Sequence, residues 1–190
     1  MSFSITWCTH QKHWEINEAY KFLSDKHISR VLEVGSLYGG TALAWAYLVD
    51  PLDGKVFCVD QNFPEPNAYR KHELSKRITE IWGNSHDPFI KDKVKKLVGE
   101  CDWLFFDGDH SYKGVKEDFE SYSELVKPGG WIGFHDILDT DYHRSGKGGV
   151  IVEVCDLWKE IKDKYEATEI IDPHDQSMMG IGIIKWSKNT

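Results

Sequence analysis

The chain has 190 residues, a length at which one domain with a single hydrophobic core is expected. With 41% hydrophobic and 28% charged residues, its composition is typical of a soluble globular protein and excludes a disordered or collagen-like chain. The net charge of −8 repels phosphate backbones and anionic lipid surfaces. We therefore expect neither nucleic acid nor a membrane as a partner.

The sequence predicts a cytoplasmic protein that has neither disulfides nor structural zinc. No run approaches the roughly 18 apolar residues of a transmembrane helix, and the first residues lack the basic and then apolar pattern of a signal peptide. The four cysteines are more than 40 residues apart and form no CxxC pair. They are Cys8, Cys58, Cys101 and Cys155.

Short apolar runs alternate with longer stretches of helical period along the chain. This alternation is typical of a mostly parallel sheet with helices on both faces. The predicted strands in this part of the chain are Arg30 to Val34, Lys55 to Val59, Ile78 to Trp82, Asp102 to Phe106 and Trp131 to His135. The predicted helices lie at about Thr41 to Val49, Ala68 to Lys76, Pro88 to Leu97, Lys113 to Leu125 and Val150 to Lys164.

The end of the chain departs from this alternation. Glu166 to Ile171 and Met179 to Trp186 read as two strands joined by a segment too short for a parallel crossover, so the last strand is predicted to run antiparallel. The fold class is thus α/β: a Rossmann-like, doubly wound sheet of seven mostly parallel strands in a three-layer αβα arrangement. A single domain spans residues 1–190, with residues 1–29 as a helical N-terminal cap.

A glycine-rich turn follows the first strand and leads into a helix. Its sequence is Gly35-Ser36-Leu37-Tyr38-Gly39-Gly40-Thr41. Such a turn lies at the sheet edge where open α/β folds bind nucleotide-type ligands, and Asp60 ends the second strand, where a carboxylate can accept ribose hydroxyls. Leu37 stands where a dinucleotide fingerprint needs glycine, and no Gly-Lys-Ser or Gly-Lys-Thr occurs, so NAD and a P-loop are excluded.

The turn beginning at Glu33-Val34-Gly35, together with Asp60 and Gly83-Asn84-Ser85, resembles the cofactor motifs of class I S-adenosylmethionine-dependent methyltransferases. The resemblance runs from about residue 30 to residue 186. It is strongest to the metal-dependent O-methyltransferases that act on small molecules, including the catechol, caffeoyl-CoA and cephalosporin-hydroxylase-like enzymes. The cofactor implied is S-adenosyl-L-methionine.

The resemblance also implies roles for individual residues. Gly35 and Gly39 would let the backbone approach the methionine part of the cofactor, Thr41 would bind its carboxylate, and Glu33 would lie near its ammonium group. Asp60 would hold the ribose and Ser85 would touch the adenine. The remaining cofactor-binding candidates beside these are Ser36 and Asp107.

Two further polar segments follow neighbouring strands of the predicted sheet. Asp107-Gly108-Asp109-His110 ends the fourth strand, and His135-Asp136 ends the fifth. Carboxylates at both strand ends can share one ion, and an oxygen-rich site with an imidazole and no thiolate suits Mg²⁺ or Mn²⁺.

By the resemblance, the metal ligands would be Asp107, His135 and Asp136. The family usually has Asp-Asn, or an acid followed by Asp, at the second strand end, and here the first member of that pair is a histidine. His110 stands where the catechol and caffeoyl-CoA enzymes carry a lysine base, and imidazole accepts protons near neutral pH. Asp109 is the alternative base. The polar segment 139–149 is predicted to be a mobile lid.

The expected function is divalent-metal-assisted O-methylation of a small-molecule hydroxyl. The acceptor stays open among a sugar, a catechol and a natural-product scaffold, as do N-methylation and a homodimer. Two alternatives are a glycosyltransferase that uses Asp107-Gly108-Asp109 as a D-x-D motif, and a protein that binds S-adenosylmethionine without catalysis. The remaining histidines are expected at the surface or in packing: His10, His13, His27, His72, His86 and His174.

Overall fold

A computed structural model describes residues 11–187 of the chain. The strands are β1 (Arg30–Val34), β2 (Lys55–Asp60), β3 (Ile78–Trp82), β4 (Cys101–Phe106), β5 (Val126–His135), β6 (Glu166–Ile170) and β7 (Ile181–Lys185). The α-helices are α1 (His13–Leu23), α2 (Gly40–Val49), α3 (Pro88–Val98), α4 (Tyr112–Tyr122), α5 (Asp141–Ser145) and α6 (Val154–Ile161). Short 3-10 helices cover Asp50–Leu52, Glu73–Arg77, Ser123–Leu125 and Lys162–Lys164.

The strands form one seven-stranded sheet in the order β3-β2-β1-β4-β5-β7-β6. β1 to β5 pair in parallel, and β7 lies antiparallel between β5 and β6. The predicted doubly wound, mostly parallel sheet with an antiparallel last strand is confirmed. The strand order reverses between β1 and β4, and the crevice at such a reversal is where open α/β sheets bind ligands.

Helices cover both faces of the sheet because successive side chains of each strand point to opposite sides. In β4, Leu104 and Phe106 face the core beneath α3, α4 and α6, whereas Trp103 and Phe105 face the core beneath α1 and α2. All four side chains are buried. A sheet buried on both faces explains why its strands read as continuous apolar runs.

The helix predicted at Ala68 to Lys76 is wrong. Only a 3-10 helix at Glu73–Arg77 forms there. The amide of Ala68 donates to the carbonyl of Tyr38 in the glycine turn, and the amide of Tyr69 donates to the side chain of Asn67. The amide of Leu74, which would donate to the carbonyl of Arg70 in the predicted helix, donates instead to Nδ1 of His72. Local contacts therefore replace the helix.

The last α-helix begins later than predicted, at Val154 instead of Val150. The amide of Val152 donates to the carbonyl of His143, and the amide of Glu153 donates to the carbonyl of His110. The Glu153 carboxylate in turn accepts the amide of Tyr112 at the start of α4. Residues 150–153 therefore tie the segment after β5 to the segment after β4 before the helix starts.

The N-terminal segment carries α1, which packs against α2. Residues 1–10 of the predicted N-terminal cap, with Cys8 and His10, lie outside the described residues. The extent of the domain over 1–190 stays a prediction. The three cysteines of the described part are buried and unpaired. Between residues 11 and 187, no helix has the length and apolar character needed to cross a membrane.

Candidate active site

A cavity of about 670 Å³ opens at the carboxyl edge of the sheet, around the reversal of strand order. Most of the predicted site residues line it, namely Gly35, Ser36, Thr41, Asp60, Ser85, Asp107, Asp109, His110, His135 and Asp136. Three non-glycine residues with left-handed backbone also lie on its wall: Leu37, Asp136 and Met179. Such strained positions concentrate at functional sites, because the surrounding structure must hold them in place.

The glycines of the turn accommodate other parts of the chain. A Cβ atom on Gly35 would lie 2.2 Å from the carbonyl oxygen of Asp107, and one on Gly39 would lie 2.2 Å from the ring of Tyr69. Both residues also have positive φ, which glycine adopts without strain. Gly35 lines the cavity and also lets the turn meet the end of β4, whereas Gly39 does not line the cavity; the expected close approach of both glycines to a cofactor stays a prediction.

Asp60 joins the second strand end to the glycine turn. Its Oδ2 accepts the amides of Ser36 and Leu37 at 2.7 and 2.8 Å, and its Oδ1 accepts the amide of Asn62 at 2.9 Å. A carboxylate offers about four acceptor positions, so three backbone bonds leave one for a ligand hydroxyl. Ribose binding at Asp60 stays a prediction, narrowed to this one position.

Glu33 lies beneath the turn and does not line the cavity, and its expected place near a cofactor ammonium group stays a prediction. Its Oε1 accepts the hydroxyls of Ser36 at 2.7 Å and Thr41 at 3.1 Å, and the side chain is fully buried. Burial raises the pKa of Glu33 to about 8, despite the hydrogen bond from Ser36. The carboxyl group thus fixes the side chains of Ser36 and Thr41 through hydrogen bonds.

The loop after β3 forms the opposite end of the cavity. Ser85 and His86 both line it, so His86 has a place at the cavity in addition to its expected surface or packing role. Nε2 of His86 lies 3.2 Å from Oδ1 of Asp118, a buried residue of α4. Burial raises the pKa of Asp118 to about 6, against the lowering effect of a hydrogen bond from Ser85. The position of His86 depends on α4, which the spacing of the residues in sequence does not reveal.

Two carboxylates and two imidazoles meet at the ends of β4 and β5. Asp107, His110, His135 and Asp136 each offer one ligand atom, and these atoms all lie within 4.8 Å of one another. Nδ1 of His135 is 3.1 Å from Oδ1 of Asp107 and 3.4 Å from Oδ2 of Asp136. Nε2 of His110 is 3.0 Å from Oδ2 of Asp136. The topology therefore brings together both polar segments that the sequence singled out.

The carboxylates of this cluster require positive charge nearby. The side chains of Asp107 and Asp136 are each 9% exposed. Burial disfavours a charged His135, yet the two carboxylates outweigh burial and raise the pKa of its ring well above the usual value. Burial also opposes ionisation of Asp136, but His135 and His110 hold the pKa of that carboxyl far below its usual range. Two buried carboxylates that face one point favour a positive charge between them.

The residues present fit a divalent metal ion. Carboxylate oxygens and imidazole nitrogens are metal donors, and each residue of the cluster supplies one atom toward a shared centre. His135 is 4% exposed, and neither of its ring nitrogens has a hydrogen-bond partner within residues 11–187. A buried polar atom without a partner is rare and costs free energy, so its occurrence on the cavity wall points to a ligand.

The two candidate bases differ in position. Burial lowers the pKa of His110, but its hydrogen bond to Asp136 and the charge of Asp107 outweigh burial and raise it. Asp109 is exposed, and its Oδ1 accepts the amide of Ser111 at 2.9 Å. Its carboxyl group also packs where a Cβ on Gly114 would lie, against the first turn of α4. Asp109 thus stabilises the start of that helix, whereas His110 contacts the carboxylate cluster.

The remaining wall of the cavity was missed by the sequence analysis. It is apolar and comes from the segment after β5 and from the hairpin segment before β7, through Tyr142, Val150, Val152, Met178 and Met179. Gln11 also lines the cavity and donates to Oδ2 of Asp107. The predicted lid at 139–149 contains the short helix α5, which supplies Tyr142. Its mobility stays a prediction.

His143, on α5, fixes this wall. The ring is 3% exposed; its Nδ1 lies 2.8 Å from the carbonyl of Leu138, and its Nε2 accepts the amide of Met179 at 3.2 Å. Since a carbonyl only accepts, Nδ1 carries the proton and the ring is the neutral tautomer. A histidine in a polar glycine-rich segment gave no signal of this role, because both partners belong to other parts of the fold.

Comparison with known proteins agrees with this geometry. Among curated proteins, the rhamnosyl O-methyltransferase of Mycobacterium bovis is 26% identical over 133 residues, which cover 66% of this chain and 51% of that protein. The chain spans about half to three fifths of the length of the curated relatives it matches, with 62% and 51% covered in two cases.

Two solved structures share the fold. The O-methyltransferase from Bacillus cereus in complex with SAH has a TM-score of 0.69 at 15% identity, covering 93% of this chain and 83% of that chain. The MycE methyltransferase from the mycinamycin biosynthetic pathway, in complex with Mg, SAH and mycinamycin VI, has a TM-score of 0.64 at 19% identity. It is matched over 94% of this chain and 51% of that chain.

A family model described as a methyltransferase domain matches residues 32–137. The matched region begins in β1, includes the glycine turn and Asp60, and ends just after His135 and Asp136, so it contains both halves of the cavity wall described above. It covers more than half of the chain. The chain belongs to the methyltransferase domain family.

Proposed function

We propose that the protein is an S-adenosylmethionine-dependent O-methyltransferase that acts on the hydroxyl group of a small molecule with the help of a divalent metal ion. The observation that carries the proposal is the convergence of the glycine turn, Asp60 and the Asp107 cluster on one cavity. The rhamnosyl O-methyltransferase and the Bacillus cereus O-methyltransferase support the reaction, and SAH bound to the latter and to the MycE methyltransferase supports the cofactor.

The glycine turn and the residues around it are assigned to the cofactor. S-adenosylmethionine supplies a methyl group on a positively charged sulfur. Gly40 and Thr41, the first residues of α2, line the cavity and suit its carboxylate, because a helix N-terminus favours negative charge. The one open acceptor position of Asp60 suits a ribose hydroxyl, and Ser85 lies at the end assigned to adenine.

Asp107, His135 and Asp136 are the residues that we assign to a divalent metal. When bound, such an ion lowers the pKa of a substrate hydroxyl and orients it. The carboxylates of Asp107 and Asp136 are already fixed, the first by Gln11 and His135 and the second by His110 and His135. MycE, which was solved with Mg, supports a metal in a protein of this fold.

His110 is assigned as the proton acceptor. The transfer forms a bond from the substrate oxygen to the methyl carbon and breaks the bond from that carbon to sulfur. The hydroxyl proton goes to the ring of His110, and Oδ2 of Asp136, which accepts from Nε2 at 3.0 Å, stabilises the imidazolium that forms. General bases contribute typically about 10²–10⁴-fold to such rates. Asp109 is the weaker candidate, because its carboxyl group packs against α4.

The proposal is tested by following release of S-adenosylhomocysteine from S-adenosylmethionine with two acceptors, 3,4-dihydroxybenzoate and methyl α-rhamnoside. We expect release that depends on an acceptor, stops with EDTA and returns when Mn²⁺ or Mg²⁺ is added in excess. Turnover that continues unchanged after exhaustive chelation would remove the metal from the proposal. A protein that binds neither S-adenosylmethionine nor its product would remove the reaction as well.

A further inference from the structure

We propose that the cation site at the ends of β4 and β5 selects a first-row transition ion of the Mn²⁺ class over Mg²⁺, because His135 supplies a nitrogen donor. This inference rests on the metal site of the proposed function and adds the identity of the ion. It is independent of the cofactor and of the acceptor.

The carrying observation is the environment of the His135 ring. The residue is 4% exposed and lines the cavity, and within the described residues neither ring nitrogen makes a well-formed hydrogen bond. Its Nδ1 lies 3.1 Å from Oδ1 of Asp107 and 3.4 Å from Oδ2 of Asp136. The nitrogen is therefore grouped with the two carboxylates as a third donor, and the fold gives it no other polar partner.

The fold also holds the ring in position. His135 is the last residue of β5 and pairs with Ile181 of the antiparallel strand β7. Its ring packs beside Phe105, with 6.4 Å between the ring centroids. The next residue, Asp136, has φ of +62°, so the chain turns sharply directly after the ring. Moving the imidazole away from the carboxylates would require changes in both the sheet and this strained turn.

The chemistry of the donors then decides the ion. Mg²⁺ demands nearly ideal octahedral oxygen coordination and gives up its water slowly. Imidazole suits first-row transition ions, and Mn²⁺ accepts carboxylate and imidazole together. A site that offers a fixed buried nitrogen in place of an oxygen loses more affinity for Mg²⁺ than for Mn²⁺. The other imidazole, His110, hydrogen-bonds to Asp136 and is kept as the proton acceptor.

The test titrates the metal-free protein with MnCl₂ and, separately, MgCl₂ by calorimetry, without S-adenosylmethionine. We expect Mn²⁺ to bind at least about tenfold more tightly than Mg²⁺, and His135→Asn to weaken Mn²⁺ by about 10–100-fold while changing Mg²⁺ affinity less than about threefold. The matched control is His174→Asn, since His174 is exposed on the hairpin segment and does not line the cavity. This control should bind both ions as the wild type does.

A spectroscopic measurement identifies the donor directly. Electron spin echo modulation of bound Mn²⁺ should contain a nitrogen coupling in the wild type, and this coupling should disappear in His135→Asn and persist in His110→Gln. If His135→Asn does not fold, as judged by circular dichroism, the wild-type and His110→Gln spectra still decide. The proposal is overturned by equal affinities for the two ions, by Mn²⁺ without nitrogen coupling, or by a coupling that disappears in His110→Gln.

These outcomes separate the two proposals. Selective Mn²⁺ binding with nitrogen coupling, but no methyl transfer, would support the site and contradict the reaction. Methyl transfer with a site that does not distinguish the two ions would support the reaction and contradict the role of His135.

Discussion

Glu33 and Asp136 are both buried acids next to the cavity, yet their environments shift their pKa values in opposite directions. Glu33 faces hydroxyl groups and the negative Asp107, so burial dominates and its pKa rises to about 8. Asp136 faces two imidazoles, which outweigh burial and lower its pKa. One acid therefore holds a proton near neutral pH and hydrogen-bonds the turn, while the other stays charged and available to a cation.

The raised pKa of Glu33 predicts a pH-dependent cost to stability. The folded protein keeps a proton on Glu33 up to about pH 8, whereas the unfolded chain releases it above its usual pKa of 4.5. Unfolding free energy should therefore fall as pH rises through this window, by at most about 1.4 kcal/mol per pH unit. Glu33→Gln keeps an acceptor for Ser36 and Thr41 and should remove this slope. Denaturant titrations between pH 5 and pH 8 measure it.

The control for that prediction is Glu100→Gln, because Glu100 is exposed after α3. Its titrations should match those of the wild type at every pH. If the difference between Glu33→Gln and the wild type did not grow with pH, Glu33 would not be the buried titrating group.

His110 and Asp109 are distinguished by their effect on rate. In His110→Gln, turnover should fall by about 10²–10⁴-fold. The decrease in rate at low pH, which in the wild type should follow protonation of one imidazole, should disappear in this variant. Binding of S-adenosylhomocysteine should hardly change. Asp109→Asn should keep near-normal turnover with a modest loss of stability, since Asp109 supports the start of α4. The reverse pattern in pH–rate profiles would make Asp109 the base.

At the scale of elements, the N-terminal helix and the hairpin segment before β7 form one unit beside the cavity. The buried carboxylate of Glu15 accepts the amides of Asp172 and Gly180, at the two ends of this segment. Lys12 donates to the carbonyls of Asp175 and Met178. Together with the hydrogen bond from the amide of Met179 to His143, these contacts hold the apolar wall in position.

Removing the Glu15 carboxylate should destabilise this unit. Glu15→Ala leaves two amides without a partner, one of them buried, at a cost of about 1–3 kcal/mol for each buried group. Chemical denaturation should show this loss, and the KM for the acceptor should rise more than kcat falls. Glu18→Ala is the matched control, because Glu18 lies on the same helix and pairs with Lys21 at the surface. Equal stability of the two variants would contradict this role of Glu15.

Local patterns predicted the elements whose partners are near in sequence. The glycine turn, the strand ends at Asp60 and Asp107 and the terminal hairpin all follow from short-range rules of α/β folds. The helix predicted at Ala68 to Lys76 did not form because the ring of His72 takes the amide of Leu74 and because Ala68 is held against the glycine turn, about 30 residues away. The apolar wall of the cavity was not predicted for a similar reason, because Tyr142 and Met179 line the same cavity only once β7 pairs with β5.

On the scale of the whole molecule, the site is divided between two halves of the sheet. The ends of β1, β2 and β3 supply the glycine turn, Asp60 and Ser85. The ends of β4 and β5 supply the cluster of two carboxylates and two imidazoles. The reversal of strand order brings the halves to one cavity, and only the long-range pairing of β1 with β4 sets the distance between them. In the proposed function, catalysis therefore requires the bound cofactor and acceptor to bridge the two halves.

The most direct test of that claim is calorimetry of S-adenosylhomocysteine with the wild type, Asp60→Ala and the control Asp92→Ala. Asp92 lies exposed on α3, away from the cavity. We predict that the wild type and the control bind equally, and that Asp60→Ala binds more weakly by roughly 1–3 kcal/mol while keeping its circular dichroism spectrum. Absence of binding by the wild type, or unchanged affinity in folded Asp60→Ala, would contradict the account.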